Sequence, residues 1–371
     1  MEILSLLPVK SLLRFRCVCK SWNQLLRDPY FIQLHLNLHQ SIKTNNNHHL
    51  NSDTQFLFLT DSQGITDFHC ALDYNACHKA MKLYLPVKRI LRGHYCYKVF
   101  GICNGLVCLA NLSGSLKVHV WNPLIRDHIT IPSSPIPSVY PDYERHGFGF
   151  LHDTNEYKLI RIVCTPEFKC SEPHEYSSHV SVYTLGTDSW RTLEPISYRL
   201  CEGSGALINE ALHWLAARPT DSLSWSSILS FDLKDEVFQE IPQPNGFEDY
   251  HCSHYVKVGE LYGLLCIFCI LPREDVQIWV MKEYGVVDSW TKQFKIERPK
   301  VRYCPYSLQP LGLANNGEII LQKDMWQLFS YNPKTNSLTS LKKFLLKFDQ
   351  VYAFVGSLMS PSSFNGVLAN H

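Results

Sequence analysis

Two short stretches decide how this chain folds: Cys103-Asn104-Gly105-Leu106-Val107-Cys108 and, shortly after, Val118-His119-Val120-Trp121-Asn122-Pro123. In the first, Asn-Gly stands between two apolar runs, the strongest short-range signal for a β-hairpin. In the second, apolar and polar residues alternate up to an aromatic, the period of a half-buried strand. Asn-Pro then supplies a turn. The unit is therefore a hairpin followed by a strand, a turn and another strand.

The unit recurs along the chain. Its aromatic-ended strand returns as Val180-Ser181-Val182-Tyr183, Ile228-Leu229-Ser230-Phe231, Val276-Gln277-Ile278-Trp279 and Leu328-Phe329-Ser330-Tyr331. Turns rich in Asn, Asp, Gly and Pro follow, at Gly186-Thr187-Asp188, Lys234-Asp235 and Asn332-Pro333-Lys334-Thr335-Asn336. The strands after them pass through Trp190, Phe238, Trp290 and Leu338. A four-stranded unit every ~50 residues is the period of a kelch-type β-propeller. One such sheet cannot bury both of its faces, so neighbours stack around an axis. The expected fold is mainly β, a kelch-like β-propeller of about six four-stranded blades behind a short three-helix segment. Five units are complete. Residues 55–90 begin a sixth, which the tail strand Val351-Tyr352-Ala353-Phe354-Val355 completes.

The first forty residues differ in character. Lys10, Arg14, Arg16, Lys20 and Arg27 outnumber Glu2 and Asp28 there. Leu12, Phe15, Val18, Cys19, Trp22, Leu25 and Leu26 recur at helical steps. Asp28-Pro29 is a helix start, an N-cap followed by a residue preset for the first turn. Three short helices bury little surface alone, so their apolar stripe needs a cover, either the rest of the chain or another protein. The polar, Asn-rich residues 41–54 read as a linker, which gives three regions: 1–40, 41–54 and 55–371. His48-His49 lies in that linker and reads as solvated rather than metal-binding.

The run from Ile3 to Trp22 closely resembles the F-box motif, in the variant found in the large plant family of F-box proteins with a C-terminal F-box-associated or kelch-like domain. Leu7-Pro8-Val9-Lys10-Ser11-Leu12 and Cys17-Val18-Cys19-Lys20-Ser21-Trp22 carry the match, and Asp28-Pro29-Tyr30-Phe31 continues it. The tail strand, Trp121-Asn122-Pro123 and Gly186-Thr187-Asp188-Ser189-Trp190 resemble the F-box-associated domain. The resemblance implies a non-catalytic substrate-recognition subunit of an SCF-type E3 ubiquitin ligase. It would dock on a Skp-type adaptor, and through it on a cullin, by way of Leu6, Leu7, Pro8, Leu12, Cys19 and Trp22.

The chain starts inside the first helix of the F-box pattern. That supports a second reading, a propeller binding module whose shortened F-box is adaptor-deficient. A third is a propeller-fold enzyme, which needs His, Tyr, Asp or Glu side chains converging at the axis.

Within each unit the first-to-second and third-to-fourth turns are short, and both lie on one rim. The other connections, on the opposite rim, are long. Long loops on a rigid scaffold are where binding sits. Their aromatics Tyr140, Tyr143, Trp225, Phe247, Tyr250, Tyr303 and Tyr306 are the candidates for holding a protein substrate.

Composition narrows the rest. With 35 Lys+Arg against 34 Asp+Glu the formal charge is +1, which argues against nucleic acid or an anionic membrane as partner. The 8 Trp, 19 Tyr and 19 Phe exclude disorder as the main state. Glu2 before the first apolar stretch and Lys10 after it reverse the charge order of a signal peptide, so the expected location is cytoplasm, nucleus or both. The 14 cysteines show no framework spacing, and Cys266-Ile267-Phe268-Cys269 lies in an apolar strand with no second pair. No phosphate loop, zinc-hydrolase motif or nucleophile elbow occurs. No metal and no cofactor is expected.

Overall fold

A computed structural model describes residues 2–45, 54–62, 65–71, 81–83, 97–111, 117–137, 143–164, 177–201, 203–218, 227–245, 247, 256–270, 275–296, 308–314, 317–323, 327–341 and 350–364. The chain opens with four helices rather than three: α1 (Glu2–Ser5), α2 (Val9–Phe15), α3 (Lys20–Leu25) and α4 (Pro29–Asn45). Pro8 causes the first break. Its backbone is extended (φ −56°, ψ 142°), and its carbonyl accepts from the amides of Ser11 and Leu12 to start α2. Asp28 starts α4, its Oδ1 accepting from the amides of Tyr30 at 2.9 Å and Phe31 at 3.1 Å. Helix α4 runs to Asn45, past residue 40 where the sequence sets the linker. His48-His49 lies outside the described residues. Among the described residues no helix is long and apolar enough to cross a membrane.

The strands follow: β1 (Thr54–Ser62), β2 (Ile65–Ala71) and β3 (Met81–Lys82), then five contiguous blades. Blade 1 is β4 (Tyr97–Cys103), β5 (Leu106–Asn111), β6 (Lys117–Asn122) and β7 (Asp127–Ile131). Blade 2 is β8 (Glu144–Leu151), β9 (Glu156–Cys164), β10 (Ser178–Thr184) and β11 (Trp190–Thr192). Blade 3 holds β12 (Arg199–Leu200), β13 (Ala206–Ile208), β14 (Ala211–Ala217), β15 (Ser227–Asp232) and β16 (Phe238–Ile241). Blade 4 is β17 (Val256–Leu261), β18 (Leu264–Ile270), β19 (Val276–Met281) and β20 (Trp290–Ile296). Blade 5 is β21 (Leu308–Leu313), β22 (Ile319–Lys323), β23 (Gln327–Asn332) and β24 (Ser337–Ser340). The last strand, β25 (Gln350–Val355), pairs antiparallel with β1, and the resulting sheet runs β25-β1-β2-β3.

The expectation of six equal blades therefore needs correction. Five blades are complete and contiguous. The remaining sheet is a closure made from both ends of the domain, and its outer strand is two residues long. Blade 3 also departs from four strands. Its inner strand is broken into β12 and β13, which pair with the two halves of β14.

Local chemistry explains the tight rim. The β4–β5 turn has Asn104 at φ 50° and Gly105 at φ 74°, the two left-handed residues that a two-residue hairpin matching strand twist requires. A Cβ on Gly105 would also lie 2.5 Å from the Ser357 amide nitrogen. The turns between third and fourth strands share another device. Asp232 Oδ1 accepts from the amides of Lys234 and Asp235, and Asn332 Oδ1 from those of Lys334 and Thr335. Glu236 and Asn336 then take left-handed φ values of 58° and 49°.

The apolar clusters lie between sheets. Phe148, Phe150 and Tyr157 of blade 2 pack on Cys108, Val120 and Ile131 of blade 1. Leu212, Trp214 and Phe231 of blade 3 pack on Ile160 and Val182 of blade 2. Similar layers join blade 3 to blade 4 and blade 4 to blade 5. Leu57 and Phe354 of the closing sheet meet Val107 and Trp121 of blade 1. Burial of each such side chain contributes roughly 1.5–3 kcal/mol before chain entropy is subtracted.

Candidate functional site

The helical segment sits on the tight-turn rim, over blades 1 and 2. After β25 the chain runs across this rim from Ser357 to Phe364 and forms a seat. Asn122, at the end of β6, fastens it: Nδ2 donates to the Ser357 carbonyl at 3.0 Å and to the Met359 carbonyl at 2.7 Å. Asp127, at the start of β7, accepts from the hydroxyls of Ser360 and Ser362 and from the Ser362 amide. Leu358 then joins Leu4, Val9, Leu12, Leu26 and Phe31 in one buried cluster, with Leu124 of the β6–β7 turn against it. His35 of α4 bonds the Leu7 carbonyl at 3.0 Å, which holds α4 against the α1–α2 junction.

One side of the helical segment is thus covered by its own chain and the other is not. Leu12 is fully buried and faces the seat. The helical period puts Leu12 on the same face as Val9, which is the face that meets Leu358. Leu7 and Trp22 are half-buried, with the Trp22 ring 5.2 Å from Phe15. Leu6 is 61% exposed, and Pro8 and Cys19 are also exposed. Three further apolar residues on the uncovered surface stand outside the docking set that the resemblance implies: Ile3 (80% exposed), Val18 (63%) and Tyr30 (69%).

The long-loop rim lies at the other ends of the strands. A blade strand of six to eight residues places it roughly 20 Å from the helices. Tyr143 stands there, exposed, just before β8. Phe247 does not face outward. It is 3% exposed and packs among Ile208, Leu215, Val256 and Ile267 between blades 3 and 4. Tyr140, Trp225, Tyr250, Tyr303 and Tyr306 lie outside the described residues.

A buried ion pair braces this rim beside Tyr143. Arg161 donates Nε to Glu144 Oε2 at 2.9 Å and Nη2 to Oε1 at 2.8 Å, while Nη1 donates to the Ile136 carbonyl. Burial pushes the Glu144 carboxyl up, but the His146 and Arg161 side chains outweigh it and hold the group far below its ordinary value. His146 Nε2 stands 3.2 Å from Glu144 Oε2, and its ring stacks on Phe100 at 3.4 Å. Burial keeps His146 down to about 4 despite that neighbour, so it is neutral near pH 7. The break in the blade 3 inner strand reaches across here. Ser204 Oγ donates to the Val99 carbonyl of blade 1, and the Gly205 amide donates to the His146 carbonyl of blade 2.

These groups brace the rim. Arg161 takes up both Glu144 oxygens. Among the described residues no group of three or more His, Cys, Asp or Glu is placed to hold a metal ion. Cys266 and Cys269 are buried, neither is in a disulfide, and they pack into different inter-blade layers. Burial pushes the Cys266 thiol far up, away from nucleophilic behaviour.

Comparison with known proteins agrees with this division. Residues 1–34 match the model of the F-box domain, and residues 55–349 match that of the F-box associated beta propeller domain. The F-box protein CPR1 of Arabidopsis thaliana is 28% identical, over 92% of this chain and 82% of its own. The F-box/kelch-repeat protein At3g23880 of the same plant is 28% identical, over 80% of this chain and 77% of its own.

Proposed function

Because the chain belongs to the F-box proteins that carry an F-box-associated β-propeller domain, we propose that it is the substrate-recognition subunit of an SCF-type ubiquitin ligase. In this reading the helical segment docks on a Skp-type adaptor, which links it to a cullin. The long-loop rim holds the protein substrate. The chain does no chemistry itself and works in the cytoplasm or nucleus. Its contribution is proximity: holding a substrate near a conjugating enzyme raises the effective concentration of the substrate's lysines.

The observation that supports this most is the two-sided burial of the helical segment. Leu12, Leu26 and Phe31 are fixed to the seat, while Ile3, Leu6, Val18 and Tyr30 stay uncovered. Isolated exposed apolar residues are ordinary, but four on one small helical unit are what a second polypeptide would cover. The adaptor face is then Ile3, Leu6, Leu7, Pro8, Val18, Cys19 and Trp22, and Leu12 acts from beneath as the anchor. The seat lies on one rim and Tyr143 stands on the other, so both partners fit at once.

Co-purification with a Skp-type adaptor tests the reading. The wild-type chain should retain the adaptor, and Leu6→Asp/Pro8→Asp should lose it with the propeller melting transition unchanged. Adaptor capture that survives the double change would refute the assigned face. A wild-type chain that captures no adaptor would favour the adaptor-deficient binding module.

A further inference from the structure

Between the helical segment and its seat lies a cleft of about 610 Å³. Both units wall it: Arg16, Arg27 and Ile32 from the helices, Ile125, Met359 and Phe364 from the rim and tail. Its size falls within the range of small-molecule sites, which combine apolar walls with a few convergent polar groups.

The charges in this cleft are unbalanced. The acid in its lining, Asp127, is taken up by Ser360 and Ser362 of the tail. Arg16 gives one N–H, on Nη2, to the Leu26 carbonyl at 3.1 Å, but its Nε–H is buried with no acceptor among the described residues. No carboxylate pairs with Arg16 or Arg27 among the described residues. The two cations are close enough that, after burial, the Arg27 charge further lowers the Arg16 guanidinium. Buried donors are nearly always satisfied, and like charges held together are relieved by an anion. A guanidinium fork suits planar carboxylate or tetrahedral phosphate oxygens.

We propose that this cleft binds a small amphiphilic anion, its phosphate or carboxylate head between Arg16 and Arg27 and its apolar body against Ile32, Ile125, Met359 and Phe364. The ligand touches both the helical segment and the propeller tail, so binding couples the two. It stabilises the seated arrangement by an amount that rises with the logarithm of free ligand concentration above Kd, and fixes the direction in which the helical segment points. The proposal does not depend on the ligase assignment, because the cleft lies under the helices and not on their uncovered side.

Isothermal titration of the full chain tests it, with octyl phosphate, octanoate, inorganic phosphate and uncharged octanol as probes. Saturable one-to-one binding of octyl phosphate or octanoate is expected, and the tighter of the two identifies the head group. Arg27→Gln, at an exposed position that leaves folding intact, should weaken that binding by about tenfold, the loss of one charged hydrogen bond. Ile32→Ser should weaken the octyl ligand and leave inorganic phosphate unaffected. The proposal is overturned if neither octyl anion saturates, if octanol or inorganic phosphate binds as tightly as they do, or if Arg27→Gln and Arg16→Gln both leave affinity unchanged while a thermal melt shows both variants folded.

Discussion

Trp290 donates its indole N–H to the carbonyl of Pro242 at 2.8 Å, which straps the outer strand of blade 4 to the chain leaving blade 3. Trp190 makes the same bond to Pro132 at 2.7 Å, between blades 2 and 1. Each strap uses the carbonyl of the proline that directly follows the last strand of the preceding blade, after Ile131 of β7 and Ile241 of β16. Trp290→Phe keeps most of the ring packing and removes the bond. A loss of about 1 kcal/mol in urea unfolding is expected. An unchanged midpoint would show that the strap adds nothing beyond packing.

Asn122 is fully buried and holds two carbonyls of the tail. Asn122→Ala leaves both without their donor, and each buried acceptor left unmade costs about 1–3 kcal/mol. The damage should be local. Limited proteolysis would cut the tail between Ser357 and Phe364 faster than in the wild type, while the blades resist. Equal cleavage rates in the two proteins would contradict the fastening role.

Arg161 and Glu144 form a bidentate pair, each about 5% exposed. Removing one partner strands the other, so Arg161→Met should cost about 3–5 kcal/mol. Arg161→Met/Glu144→Gln should recover most of that loss, because no uncompensated charge remains. A double variant as unstable as the single one would mean that the shape of Arg161, rather than its charge, is what matters.

The buried histidines set a pH response. Burial lowers His119, His146 and His213 to about 4 from an ordinary 6.5. Between about pH 6.5 and 4 the unfolded chain binds protons at these positions that the folded chain does not. Their contribution is therefore present above about 6.5 and is lost as the pH falls towards 4. The urea midpoint should decline across that window, and His213→Gln should decline less steeply. A flat wild-type profile would be the contrary result.

Leu12 and Leu6 lie on opposite faces of the helical segment and should behave oppositely. Leu12→Ala opens the cluster with Leu358 and should cost about 2–5 kcal/mol in the stability of that segment. Leu6→Ala should change stability by less than about 0.5 kcal/mol yet weaken adaptor capture. Finding the reverse pattern would invert the assignment of the two faces.

Much of this was legible in the residues. Alternation up to Trp121, Tyr183, Phe231, Trp279 and Tyr331 marked strands because burial on one face leaves a period of two. Asn104-Gly105 marked a turn because its backbone needs positive φ at both positions. The break in the blade 3 inner strand was not legible, since it depends on Ser204 reaching a carbonyl on another blade. Nor was the orientation of Leu12 against Leu6. Periodicity finds an apolar stripe, but which part of it the chain itself covers depends on Leu358, far off in sequence. Phe247 shows the same limit. An aromatic in a long loop packs inward when an inter-blade layer lies within reach.

The pairing of β1 with β25 has a consequence for biosynthesis. The strand that closes the ring, and the seat beyond it, cannot form until the ribosome has passed Phe364. Until then the helices made first lack the Leu358 side of their seat, and one edge of β1 is unpaired. A nonsense codon or stalled transcript upstream of Gln350 would yield an open ring with a loose amino end, a species that chaperones and proteases would recognise before it competed for any assembly partner.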